Sequence, residues 1–183
     1  MFLRKKKPGK ENCGTMFPSN RRRCAVEFIC AYHSPIGPIT LASDGEKLTG
    51  LWFDGQKYFA ATLASEHGTA ELPVFDQTRR WLDVYFEGED PGEPPPLAPK
   101  GSAFRQAVWD VLLQIPRGET VTYGAIAKKL GVKSAQAVGG AVGHNPISIL
   151  IPCHRVLGAD GGLTGYAGGT EKKAYLLALE GYK

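Results

Sequence analysis

Between Glu89 and Pro99 the chain reads Glu89-Asp90-Pro91-Gly92-Glu93-Pro94-Pro95-Pro96-Leu97-Ala98-Pro99, and no regular element can run through it. Each proline lacks an amide donor and fixes φ, so the stretch can neither continue a helix nor enter a sheet interior. It reads as an extended connector and fixes the organisation of the chain. Residues 1–23 form an extension, 24–88 a first domain, 89–100 the linker and 101–183 a second domain. No internal repeat bridges the two halves.

The first half has strand periodicity and then one helix. Ala25 to Tyr32 and Pro38 to Ala42 are β-branched and aromatic runs separated by Ser34-Pro35-Ile36-Gly37, a hairpin signature. A third run, Leu48 to Phe53, follows the Asp44-Gly45 turn, so a small antiparallel sheet is expected. Val74, Phe75, Thr78, Trp81, Leu82, Tyr85 and Phe86 then recur at helical spacing, with Asp76, Arg79, Arg80 and Asp83 on the opposite face. That helix is placed to cover one side of the sheet.

The second half reads as mostly helical, giving an α+β fold class. Ser102 caps a helix whose apolar stripe is Phe104, Ala107, Val108, Val111, Leu112 and Ile115, stopped by Pro116 and Gly118. Thr122 caps a short helix ended by Gly131 at C′, and Ser134 caps a third that runs to about Gly143. Two short helices joined by Gly131-Val132-Lys133 have the form of a helix-turn-helix, and equally of a plain helical hairpin. In the third helix Ala137, Val138, Ala141 and Val142 are expected to pack inward, leaving Gln136, Gly139, Gly140 and Gly143 on the other face. Glycine costs a helix about 1 kcal/mol against alanine, so this face needs a reason. Either a narrow groove of nucleic acid or another helix of the protein must approach it closely.

Charge is unevenly distributed. Residues 1–23 hold eight Lys and Arg against one acid, 24–100 hold five against twelve, and 101–183 hold nine against five. A polyanion would therefore be met by the second domain. The opening Met1-Phe2-Leu3-Arg4-Lys5-Lys6-Lys7 lacks the apolar stretch of a secretory signal, and no run is long enough to span a bilayer, so a cytoplasmic location, or a nuclear one in a eukaryote, is expected. Cys13, Cys24, Cys30 and Cys153 show no paired spacing, which fits a reducing compartment. Cys24, Cys30 and His33 match no standard ligand spacing, and no metal is expected.

Pro152-Cys153-His154-Arg155 carries the chemistry. A thiol attacks as thiolate, and an adjacent imidazole can raise its ionised fraction. Neighbours in extended chain point to opposite sides, so a bridging water is the expected proton path between Cys153 and His154. The histidine needs an acceptor on its other nitrogen. Glu180, at the end of a helix beginning near Thr170, is the candidate, since an acid there is unfavourable unless something positive waits.

The run from Asn145 to Val156, Asn-Pro-Ile-Ser-Ile-Leu-Ile-Pro-Cys-His-Arg-Val, resembles the active-site signature of the O6-alkylguanine-DNA alkyltransferases. The likeness extends from Phe104 to Gly181 and, more loosely, through Ser34-Pro35-Ile36-Gly37 and the helix with Trp81. It implies a ribonuclease H-like first domain and a second domain that binds DNA through its helix-turn-helix. It further implies Cys153 as alkyl acceptor, His154 as water-mediated base, Glu180 as its partner, Asn145 as brace of the turn, and Tyr123 as proton donor to the departing guanine. Val156, Ser148 and the loop Gly165-Tyr166-Ala167-Gly168-Gly169 are implied to wall the base pocket. Ser134, Ala135, Gln136, Gly139, Gly140, Gly143 and Arg155 are implied to meet DNA.

The implied activity is a single, irreversible transfer of the alkyl group from O6-alkylguanine, and less readily O4-alkylthymine, to Cys153. The base is flipped out of alkylated double-stranded DNA held through its minor groove. A monomer without cofactor would suffice. A lesion-binding module and a Cys-His hydrolase are the competing readings, of which the second would need an oxyanion hole that nothing in the chain specifies. Three positions depart from the family pattern: Gln136 stands where arginine is usual, Ser148 where some relatives have proline, and Thr170, expected to cap its helix, where an apolar residue is common.

Overall fold

The computed structural model describes residues 26–182. The extension, Cys13 and Cys24 lie outside them, and with them the expectations placed on the basic tail and on a Cys24 ligand.

Strands β1 (Glu27–Ser34), β2 (Gly37–Ser43) and β3 (Leu48–Phe53) form the expected antiparallel meander, with Pro35 and Ile36 at the first turn. A fourth strand, β4 (His67–Thr69), adds in parallel on the free side of β1, so the sheet is mixed, in order β3-β2-β1-β4. Helix α1 (Pro73–Phe86) covers the sheet with Val74, Phe75, Thr78, Leu82 and Tyr85 buried, and Pro73 stands in its first turn, where a missing amide costs nothing. In β3 all six residues are buried. Gly50 is required there because a Cβ would lie 1.9 Å from the Trp52 ring.

That burial of β3 comes from the second domain and the linker. Leu48 N donates to Pro96 O at 2.8 Å and its carbonyl accepts from Ala98 N at 2.8 Å, while Leu51 exchanges hydrogen bonds with Pro146 O and Ser148 N at 2.8 and 2.9 Å. Prolines that cannot donate still offer carbonyls, so the linker runs as a cover along the sheet edge instead of a loose tether. One apolar core continues from Ile39 and Leu41 through Trp109, Ile147 and Leu176.

The second domain comprises α2 (Ala103–Leu113), β5 (Val121–Thr122), α3 (Tyr123–Lys129), α4 (Ala135–Gly143), a 3₁₀ turn (Cys153–Arg155), β6 (Val156–Leu157) and α5 (Thr170–Leu179). Ser102, Thr122 and Ser134 cap their helices through side-chain oxygens, as their sequence positions predicted. Gly131 takes φ 67° after α3, the left-handed conformation of a C′ glycine. Helix α4 rests on α2, where Trp109 Nε1 donates to Ala141 O at 3.0 Å. Three expectations fail here. Ala137 is exposed, leaving Val138, Ala141 and Val142 as the packing face; Phe104 is exposed at the N-terminus of α2; and α5 is preceded by Gly169 at φ 94°, so Thr170 is its first helical residue and not its cap. Among the described residues no helix is long and apolar enough to cross a membrane.

Candidate active site

The segment between α4 and the 3₁₀ turn is buried without regular structure, so its backbone polar groups need side-chain partners. Asn145 supplies them. Its Nδ2 donates to Ile147 O (3.2 Å), Ile151 O (2.8 Å) and Cys153 Sγ (3.1 Å), and its Oδ1 accepts from Ile147 N at 3.0 Å. With Ile149 in the left-handed region at φ 69°, this brace sets where the sulfur lies.

Cys153 and His154 lie on the 3₁₀ turn, not in extended chain, and both are buried. His154 Nε2 meets Glu180 Oε1 at 2.8 Å, while its Nδ1 has no partner. The tautomer follows: Nε2 carries the proton toward the carboxylate, and Nδ1 keeps an open lone pair. Glu180 is the C-cap of α5 and accepts hydrogen bonds on both carboxylate oxygens. Arg155 binds both its oxygens, Nε to Oε2 at 2.8 Å and Nη2 to Oε1 at 2.9 Å, and Tyr85 Oη donates to Oε1 at 2.7 Å. Burial alone would raise the Glu180 pKa; hydrogen bonds from His154 and Arg155 outweigh it and hold the carboxyl well below the usual range. Burial lowers the His154 pKa against the pull of Glu180, so the imidazole rests neutral.

The sulfur does not rest as thiolate. Burial pushes the Cys153 pKa up to about 11, against the opposing hydrogen bond from Asn145 and the charge of Lys173. The group is therefore a thiol until a base removes its proton. Lys173, fully buried, donates to Val156 O at 2.5 Å and Thr164 O at 2.9 Å, and desolvation lowers its pKa to about 8.

Two cavities flank α4. One, of about 660 Å³, is lined by Tyr123, Gly124, Ala135, Gln136, Gly139, Gly140, Ala159, Thr164 and Gly165. The other, of about 380 Å³, lies between Lys57 and Tyr58 of the first domain, Gly139, Gly140 and Gly143 of α4, and Gly165, Tyr166 and Ala167. A Cβ on Gly140 or Gly143 would meet nothing within 4 Å, so among the described residues no helix packs against those two positions, whereas a Cβ on Gly139 would lie 3.8 Å from the Tyr123 ring. Tyr123 Oη donates to Thr164 O at 3.0 Å, which closes the loop after β6 over the turn.

Most of the residues named from sequence therefore gather in one region, with exceptions. Arg155, assigned to the DNA face, turns inward to Glu180 and to Ile115 O at 2.6 Å; a guanidinium beside a buried carboxylate finds a better partner there than in solvent. Val156 and Ser148 are fully buried and line neither cavity, Ser148 Oγ lying 3.4 Å from Gln56 Oε1. Tyr166 Oη is buried without a partner, and Gly168 lies against the Tyr166 ring and Phe53. Tyr85 and Lys173 were missed as polar participants, because an apolar stripe and a charged helix face hide a hydroxyl and an ammonium that only the fold turns inward.

A buried thiol, a neutral imidazole with one free nitrogen and a carboxylate fixed behind it define a protein that makes a covalent bond through its own cysteine, beside a helix with open glycine positions. Residues 30–92 match the family described as 6-O-methylguanine DNA methyltransferase, ribonuclease-like domain, and residues 103–182 match its DNA binding domain. The methylated-DNA–protein-cysteine methyltransferase of Haemophilus influenzae is 48% identical over 155 residues, covering 84% of this chain and 86% of its own. Its namesake from Mycobacterium tuberculosis is 47% identical over 148 residues, 80% and 88% of the two chains. The crystal structure of M. tuberculosis O6-methylguanine methyltransferase superposes with a TM-score of 0.75 at 44% identity, over 85% of this chain and 93% of that one. The structure of M. tuberculosis OGT in complex with DNA gives 0.74 at 46%, over 82% and 90%. The chain belongs to the 6-O-methylguanine DNA methyltransferase family, which repairs DNA by transferring an alkyl group to a protein cysteine.

Proposed function

We propose that this chain acts on O6-alkylguanine in duplex DNA, with O4-alkylthymine a lesser substrate, and that Cys153 Sγ is the acceptor. The observation that carries the assignment is the His154 imidazole, fixed through Nε2 to an ionised Glu180 and left open at Nδ1 on the turn that bears the thiol. His154 takes the Cys153 proton through one water, and Glu180 stabilises the imidazolium that results. The sulfur then attacks the alkyl carbon, an S–C bond forms, and the C–O6 bond breaks toward the purine. Tyr123 protonates the departing guanine, which avoids a free anion. The product is a thioether that no group here can cleave, so each molecule reacts once. Apart from that one water, these steps use side chains of this chain alone.

A base stacked in a duplex cannot reach a buried sulfur, so the nucleotide is everted at a cost of a few kcal/mol, about what unstacking requires. Helix α4 enters the minor groove with Ser134, Ala135 and Gln136 leading and Gly139, Gly140 and Gly143 against the backbone; Lys128, Lys129 and Lys133 are exposed nearby for phosphates. Cys153 is buried and lines neither of these cavities, so the everted base reaches it past the Gly165–Gly169 loop, where Gly165 at φ 78° and Gly169 at φ 94° set the turn at each end. Tyr166, Ala167 and Gly168 then face the extruded base, and a monomer suffices for the whole reaction.

Mixing the protein with an O6-methylguanine duplex and measuring intact mass tests this. One added methyl located on Cys153, absent in Cys153→Ala, is the expected result; demethylation by the alanine variant would overturn it. Gln136 is exposed and lacks the charge and planar stacking that an arginine would bring to the gap left by the base. Gln136→Arg is expected to speed transfer from duplex by about threefold to tenfold and to leave single-stranded substrate unchanged, the worth of about 1 kcal/mol. Equal duplex rates would remove Gln136 from this role.

A further inference from the structure

The acceptor site described above lies in the second domain, yet one of its polar groups comes from the first. Tyr85, on α1, is 1% exposed and donates its hydroxyl to Glu180 Oε1 at 2.7 Å across 95 positions of sequence; the same oxygen of Tyr85 is 3.5 Å from His154 Nε2. A phenylalanine would fill this space as well, and burying a hydroxyl is unfavourable unless its hydrogen bond returns something. The ring is held from three sides: Trp81 stacks on it at 5.4 Å, Phe86 meets it edge-on at 5.5 Å, and the Arg117 guanidinium lies 5.6 Å from its centre. Arg117 also binds the carbonyls of Gly88, Glu89 and Leu179, joining the C-terminal ends of α1 and α5 beside the carboxylate. The hydroxyl is therefore aimed, not merely enclosed.

Its effect follows from how Glu180 Oε1 is shared. That oxygen accepts from His154 Nε2, Arg155 Nη2 and Tyr85 Oη. Each added donor draws charge away from the bond to the imidazole. An unshared carboxylate would favour imidazolium in the resting protein, and a proton already on Nδ1 would remove the base. Burial and the Glu180 charge keep the phenol protonated at any working pH, so Tyr85 always donates.

We propose that Tyr85 is a positioning residue contributed by the first domain, which holds Glu180 in place and keeps His154 neutral with Nδ1 free for the Cys153 proton. The reactive site is then built by both domains. The groups facing His154 are Glu180 and Lys173 from α5, Cys153 and Arg155 from its own turn, and Tyr85 from α1; Tyr166 and Arg117 stand behind Tyr85 and Glu180. Of these, Tyr85 is a neutral donor to Glu180 that can be removed without changing any charge.

The inference rests on the alkyl-transfer reading, and the test separates the two. Single-turnover transfer from an O6-methylguanine duplex is measured between about pH 5 and pH 9 for the full chain and for Tyr85→Phe, with affinity for unmodified duplex as a control. Losing the donor strengthens the pull on the imidazolium. The acidic limb of the profile is expected to move to higher pH by about half a unit, a rate loss of about threefold on that limb, with the alkaline plateau and DNA affinity unchanged. Replacing Tyr85 with a fluorotyrosine, a stronger donor, is expected to move the limb the opposite way, and this arm decides if the phenylalanine variant does not fold. The imidazole ¹⁵N titration of His154 without DNA reports the same shifts whether or not transfer occurs. Superimposable profiles and titrations for all forms would overturn the proposal; a wild-type protein that titrates as expected but transfers nothing would instead count against the alkyl-acceptor assignment.

Discussion

Two glutamates are buried among the described residues, one in each domain, and they are bound in similar ways to different ends. Glu27, on β1, accepts from Thr49 Oγ1 at 2.7 Å, Ala64 N at 2.7 Å and Lys100 Nζ at 2.9 Å. It ties together two strands, the loop before β4 and the end of the linker. Glu180 accepts from Arg155, Tyr85 and His154. In both, burial raises the pKa and the donors more than offset it. The difference lies in the partners. A hydroxyl, an amide and an ammonium give Glu27 nothing that changes protonation near neutrality, whereas one donor to Glu180 is an imidazole whose far nitrogen is open. A buried carboxylate becomes part of a reaction through what its donor can do on its other side.

The most severe way to probe this contrast is Glu180→Gln. The amide cannot carry the charge that stabilises imidazolium, and Arg155 is left without its counter-ion. Transfer to Cys153 is expected to fall by about a hundredfold or more, the range of general-base losses, and unfolding free energy by about 3 kcal/mol, as when one partner of a buried pair is removed. Rapid-quench transfer and urea unfolding would measure both. A variant that is destabilised but transfers at the wild-type rate would place Glu180 with Glu27 as purely architectural.

Acid should separate the pair next. Each carboxyl has a folded pKa below its ordinary 4.5, so each contributes stability that is fully present above the unfolded value and is lost as pH falls through the folded one. His154 acts with the same sign from higher pH, since its folded pKa lies below 6.5 and the unfolded chain takes up that proton first. Urea midpoints are therefore expected to decline from about pH 6.5 downward and more steeply below about pH 4.5, and Glu180→Gln is expected to flatten the lower limb more than Glu27→Gln. Equal flattening by both variants would contradict the stronger hold on Glu180.

How much of this could be read from the chain depends on how local each determinant is. Helix caps at Ser102, Thr122 and Ser134, the C′ glycine at 131 and the hairpin at Ser34–Gly37 are decided within four residues, and they stand where the sequence places them. Asn145, Cys153, His154 and Glu180 could be grouped because the run from Asn145 to Val156 resembles a family signature that implies a role for each. Strand β4 could not be read: three residues with a central glycine become a strand only because β1 offers an edge. Nor could the inward turn of Arg155, which depends on a carboxylate 25 positions away, or the use of Tyr85, which looks apolar in its helix and meets its partner only when two domains close. The protonated state of Cys153 was hidden for the same reason, since desolvation belongs to the fold and not to the motif.

Glu27→Gln is expected to cost about 2 kcal/mol, the penalty for leaving a buried donor poorly matched, while the folded fraction transfers alkyl groups within about twofold of wild type. Stability by urea and single-turnover rate, measured on the same preparation, give the two numbers. A rate loss exceeding the loss of folded protein would mean that the first domain reaches the reactive site by a second route besides Tyr85, through β3 and its bonds to Pro146 and Ser148.

Lys100→Met gives the smallest effect and the finest division of the Glu27 cluster. The ammonium is half exposed, so its pairing with Glu27 is screened on one side, and exposed pairs are worth about 0.2–1 kcal/mol. Its removal leaves Thr49 and Ala64 still donating to the carboxylate. A loss of about 0.5–1 kcal/mol is expected, shrinking further in high salt, with transfer unchanged. A loss near that of Glu27→Gln would show that the carboxylate is compensated chiefly by this one cation. The linker would then pin the first domain through charge more than through the backbone bonds of Pro96 and Ala98 to Leu48, and Glu27 would differ from Glu180 in resting on one cation where Glu180 is held by three donors.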